Sequence, residues 1–93
     1  MTDAPAAEAR LKRLRLRSWR RGTREMDLIL GPFADAAAST MGARDLDLYE
    51  RLLEENDQDL YQWVSGQAEP PEPLAPLAAR IAAFVHDRWP RPE

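Results

Sequence analysis

Apolar residues in this chain recur at intervals of three and four, and the period is interrupted only where well-separated glycines and prolines fall. That combination commits the chain to short helices joined by tight turns, because strand pairing needs an alternation with period two and none competes. The spacing predicts five helices packed as an all-α, compact five-helix bundle. At 93 residues the chain is shorter than a typical domain of about 100 to 150 residues, so a single domain over 1–93 is expected. Residues 1–8 read as a frayed start and 90–93 as a tail.

Pro5 and the alanine-rich stretch from Ala4 to Ala9 suit a helix start, and strong helix formers continue through Arg20 until Gly22. Ala7, Leu11, Leu14 and Ser18 share one face of this helix. From Thr23, the stripe Met26, Ile29, Leu30, Phe33, Ala37 and Thr40 defines a central helix, with Glu25 and Asp27 at the positive end of its dipole. Pro32 falls inside that helix and predicts a kink or local break near Leu28. Gly42 is placed to cap a third helix that turns Leu46, Tyr49, Leu52 and Leu53 inward, with Met41 at the spacing of a hydrophobic staple to Leu46. Asp57 is expected to cap a fourth helix carrying Leu60, Trp63 and Val64 and stopping at Gly66. After a proline-rich loop over 67–73, Pro73 opens a fifth helix striped by Leu74, Leu77, Ala78, Ile81, Phe84, Val85 and Trp89.

The absence of cysteine removes disulfides, thiolate nucleophiles and finger-type zinc sites. His86 is the single histidine and reads as a solvent-facing or helix-end residue. Metal binding would therefore rest on carboxylates alone, and Glu54, Glu55, Asp57 and Asp59 suit helix caps and a solvated face better. No metal is expected. Ser18, Ser39 and Ser65 have no sequence-local partner that would make a nucleophile, so no catalytic residue is assigned and the chain is not read as an enzyme. No run of about 18 apolar residues exists to span a membrane, and the N-terminus lacks the blocks of a secretory signal.

The net charge of −3 conceals an asymmetry: residues 1–25 carry +5 and the remainder −8. A basic end on an acidic body suggests an electrostatic docking surface. The same composition occurs in mitochondrial transit segments, but here the basic stretch leads directly into a distinctive corner and is read as part of the fold. At that corner Gly22, flanked by Arg20-Arg21 and followed by Arg24-Glu25, lets two helices meet sharply, since glycine takes positive φ without a steric cost. Arginine at the end of one helix and glutamate at the start of the next also complement the helix dipoles, which is ordinary capping electrostatics.

The longer string Arg20-Arg21-Gly22-Thr23-Arg24-Glu25-Met26-Asp27-Leu28, continued by Gly31-Pro32-Phe33, resembles the signature region of the SdhE / succinate dehydrogenase assembly factor 2 family. The stretch Tyr49-Glu50-Arg51-Leu52-Leu53-Glu54, then Asn56 to Trp63 and Gly66, is similar to that family's helix, acidic turn and short aromatic helix. The resemblance covers roughly Trp19 to Trp89. It implies a chaperone-like factor that binds the flavoprotein subunit of succinate dehydrogenase, and of fumarate reductase, and promotes covalent attachment of FAD to a histidine of that subunit. FAD would then be the partner's cofactor, not this chain's. The family motif falls on Arg21, Gly22 and Glu25, with Arg20, Arg24 and Asp27 as adjacent contact candidates. Trp19 is either an interface aromatic or a packing residue of the first helix. A monomer is expected when the chain is free, in the cytoplasm of a bacterium or in the mitochondrial matrix of a eukaryote.

Two other functions fit parts of the sequence. The stripe from Arg10 to Arg24 could neutralise nucleic-acid phosphates, although the acidic remainder opposes it and the second helix opens on Glu25 and Asp27 rather than on basic residues. A toxin-neutralising or generic adaptor role would need no change in sequence. Neither explains the extended string around Gly22.

Overall fold

The computed structural model describes residues 4–88. Among them are five α-helices and no strand: α1 Ala4–Trp19, α2 Arg24–Ala37, α3 Ala43–Leu53, α4 Asp57–Val64 and α5 Ala75–Arg88. The all-α class and the number of helices agree with the sequence pattern. Trp89, Pro90 and Pro92 lie outside the described residues, as do residues 1–3 of the expected frayed start and the 90–93 tail. The helices fall into two units, Met1–Met41 and Gly42–Glu93.

In the first unit α1 and α2 pack against each other through a narrow apolar seam. Leu14 of α1 is fully buried, and so are Met26, Leu30 and Ala34 of α2, with Phe33 and Ile29 nearly so. Ser18 is also buried, and its hydroxyl donates to the Leu14 carbonyl at 2.8 Å, so the buried group is hydrogen-bonded. Leu11 is half-buried and Ala7 exposed. Pro32 does not break α2, which runs unbroken from Arg24 to Ala37. The proline removes one bond, to the carbonyl of Leu28, and Leu28 lies on the exposed side, where water can serve the freed oxygen. The inward stripe departs from expectation at its end. Ala34 and Ala38 are buried and Ala37 is only half-buried, and Thr40 is exposed where the helix tightens into a 3₁₀ turn over Ala38–Thr40.

In the second unit α3, α4 and α5 bury Tyr49, Leu52, Leu53, Leu60, Val64, Leu77, Ala78 and Ile81. Gly42 occupies the cap of α3 in extended conformation, as its position suggests. The cap of α4 is Asn56 and not Asp57: the Asn56 side-chain oxygen accepts from the Asp59 amide at 2.8 Å and its amide donates back to the Asp59 carboxylate at 3.1 Å. Asp57 instead occupies the first helical turn, where its charge meets the positive dipole end. Gly66 closes α4 at φ +83, and the amides of Gln67 and Ala68 return to the Gln62 carbonyl at 2.8 and 3.1 Å. Pro73 does not open α5. It lies in a preceding 3₁₀ turn, Glu72–Leu74, and Pro76 takes the early-helix place where a missing N–H costs nothing. Phe84, Val85 and Trp63 are half-buried, and His86 is exposed in the last turn of α5. Arg80 of α5 reaches Asp45 of α3 at 3.8 Å on the exposed surface.

Candidate partner-docking site

The corner between α1 and α2 consists of residues 20–23. Gly22 stands at φ +110, a backbone region that side chains with a Cβ rarely adopt. A Cβ built on Gly22 would meet nothing within 4 Å, so glycine is required for the turn itself and not for lack of room. The Arg20 amide closes α1 onto the Arg17 carbonyl at 3.4 Å. On the other side Thr23, extended at φ −121 and ψ 145, opens α2: its hydroxyl accepts from the Met26 amide at 3.3 Å and its carbonyl from the Asp27 amide at 3.0 Å.

Asp27 ties the two sides together. Its carboxylate accepts from the Arg21 backbone amide at 2.6 Å, a charge-assisted bond across the turn. Asp27 is therefore a half-buried brace of the corner as well as a neighbour of the motif. Arg20, Gly22, Arg24 and Glu25 are exposed, and Arg21 is half-buried. The result is a small exposed surface with both signs of charge, able to form directional hydrogen bonds with another macromolecule. Among the described residues no cluster of histidine, aspartate or glutamate could hold a metal ion.

Trp19, the last residue of α1, has a definite task in this unit. Its indole lies on the face of α2 at Gly31, where an added Cβ would sit 2.5 Å from ring atom Cε2 and 2.6 Å from Cε3, closer than real contacts allow. The indole N–H donates to the Asp35 carboxylate at 3.1 Å, and the residue still keeps 39% of its surface exposed. Trp19 thus packs and presents a face at once. Gly31 and Asp35 were not singled out as site residues by sequence reasoning. A glycine inside a helical stripe was the available signal for Gly31, without its partner. None existed for Asp35, which lies 16 residues from its partner.

None of the helices described is long and apolar enough to cross a membrane. Residues 12–85 match the family described as flavinator of succinate dehydrogenase. The chain is 40% identical over 74 residues to the FAD assembly factor SdhE of Acetobacter pasteurianus, covering 78% of this chain and 68% of that one. It is 38% identical over 69 residues to the FAD assembly factor SdhE of Methylococcus capsulatus, covering 73% and 83%. A mitochondrial succinate dehydrogenase assembly factor 2 of Aspergillus flavus is 45% identical over 53 residues, which make up 57% of this chain and only 18% of that longer protein. No solved structure matches. With most of its length inside the family match, and with a bacterial relative covered over two thirds of its own length, this chain belongs to the succinate dehydrogenase flavinator family.

Proposed function

We propose that this protein is an assembly factor that docks on the flavoprotein subunit of succinate dehydrogenase and promotes covalent attachment of FAD there. The observation that carries the reading is the corner: in the segment Arg21-Gly22-Thr23-Arg24-Glu25, Gly22 to Glu25 lie exposed and Arg21 half-buried, with Asp27 bracing the turn. Family membership supplies the chemistry in which such a surface would take part. Arg20, Arg24 and Glu25 offer charge-assisted hydrogen bonds to the partner, Arg21 lies at the base of the turn, and Gly22 leaves space for the partner's backbone.

The chain's contribution is positional and not that of a catalytic acid or base. A docked factor that binds one conformation of the flavoprotein more tightly shifts the population toward it, and alignment of the acceptor histidine with the flavin then raises the attachment rate. In this reading FAD and the histidine both belong to the partner. A fumarate reductase flavoprotein, which demands the same alignment, is a second partner of the same surface. Release follows if the finished flavoprotein binds this chain more weakly than its precursor does.

Co-expression with a succinate dehydrogenase flavoprotein subunit tests the reading, with covalent flavin scored by in-gel fluorescence. The wild-type chain is expected to raise the signal, and Gly22→Arg or Glu25→Ala to abolish most of that rise. A flavin signal indifferent to the presence of the protein and to both substitutions would remove the proposal.

A further inference from the structure

Among the described residues four large apolar side chains are conspicuously exposed, and three of them belong to the first unit: Leu16 at 49%, Trp19 at 39% and Leu28 at 42%, against Tyr61 at 42% in the second. The three are grouped. Leu16 and Trp19 are one turn apart on the same face of α1. The Trp19 ring lies on Gly31, and Leu28 is one turn from Gly31 on the same face of α2. The indole thus belongs to the α1 face that carries Leu16 and lies on the α2 face that carries Leu28.

Cations border this apolar strip at helical spacing. Lys12 is four residues before Leu16, Arg20 is four after it, and Arg24 is four before Leu28, and all three are exposed. An aromatic centre with arginines around it is the composition enriched in protein interfaces. A scattered exposed leucine needs no explanation, whereas a contiguous patch does. The indole is also fixed in advance by Gly31 and Asp35, so binding would not have to immobilise it.

We infer that Leu16, Trp19 and Leu28 form the apolar centre of the docking surface, with Lys12, Arg20 and Arg24 as its basic rim. The occupant is the flavoprotein subunit, through a patch of apolar side chains bordered by carboxylates. This rests on the reading that the corner docks that subunit, and extends it along α1 and α2. Two observations select the occupant. The patch is continuous with the corner, since Trp19 and Arg20 adjoin Arg21 and Arg24 adjoins Glu25, so a partner seated on the motif covers it. Lys12, Arg20 and Arg24 outnumber the carboxylates of Glu25 and Asp35 around the patch, within a segment of net charge +5, and this basic excess calls for an acidic border on the other side.

The test is the dissociation constant of the full chain for the purified apo-flavoprotein subunit, with helical content checked by circular dichroism. Leu16→Asp and Leu28→Asp are each expected to weaken binding by about tenfold or more, as truncating a central interface residue does. Leu28→Gln, which favours the helix, serves if an aspartate variant misfolds. Tyr61→Asp is the control and should bind as wild type. If wild type binds and Glu25→Ala does not, yet both leucine variants bind normally, the apolar centre is refuted while the corner reading stands. If wild type fails to bind at all, both fall. If the leucine variants disperse a self-associated species and leave flavoprotein binding unchanged, the patch takes a second copy and the inference is overturned.

Discussion

The connection from α1 to α2 and the connection from α3 to α4 are both short turns between helices, yet they are held by different means. The α3–α4 turn carries a local side-chain cap: Asn56 caps α4 through Asp59, three residues on. The α1–α2 corner adds side-chain links that reach much further, from Arg21 to Asp27 across the turn and from Trp19 to Asp35, 16 residues away. The α3–α4 turn reverses the chain on a side-chain cap. The α1–α2 corner holds a surface in a fixed shape, with Gly22 at positive φ and the indole keyed onto Gly31. Long-range bracing of an exposed turn is what a preformed recognition surface requires.

That contrast can be broken by substitution. Gly31→Ala should have the largest effect, because its methyl overlaps the indole and ejects it from Asp35. We expect a loss near the upper part of the about 1 to 3 kcal/mol typical of overpacking, with a red-shifted tryptophan emission and weakened docking. Gly22→Ala comes next, at about 1 to 2 kcal/mol for positive φ in an L-residue, measured by chemical denaturation, since its Cβ meets no atom. Asn56→Ala should cost about 1 kcal/mol, the usual effect of a lost cap, and leave docking intact. Arg80→Ala should change stability by less than about 0.5 kcal/mol, because its pair with Asp45 is exposed and long. An Asn56→Ala chain that loses docking while Gly31→Ala keeps it would invert the comparison.

Periodicity made the helices and most of their inward faces legible. Met26, Ile29, Leu30 and Phe33 are buried as their spacing predicts, and Gly22 and Gly66 both take positive φ where the pattern places a corner and a stop. The errors come from competition between neighbours. Asn56 and Asp57 are both good caps, and only the extended backbone at Asn56 decides between them. Thr40 left the inward stripe because a 3₁₀ turn changes the angular step per residue. At the site, the exposed corner residues could be read from a local string, whereas the clamp of Trp19, Gly31 and Asp35 could not. It depends on two helices facing each other, which no local period encodes.

Amide hydrogen exchange of this protein, alone and bound to the succinate dehydrogenase flavoprotein subunit, most directly tests whether the braced corner is the docking surface. Protection on binding is expected over residues 19–28, with residues 54–59 at the α3–α4 turn unchanged. Protection confined to the α3–α4 turn, with exchange at the corner unaltered in the complex, would contradict it.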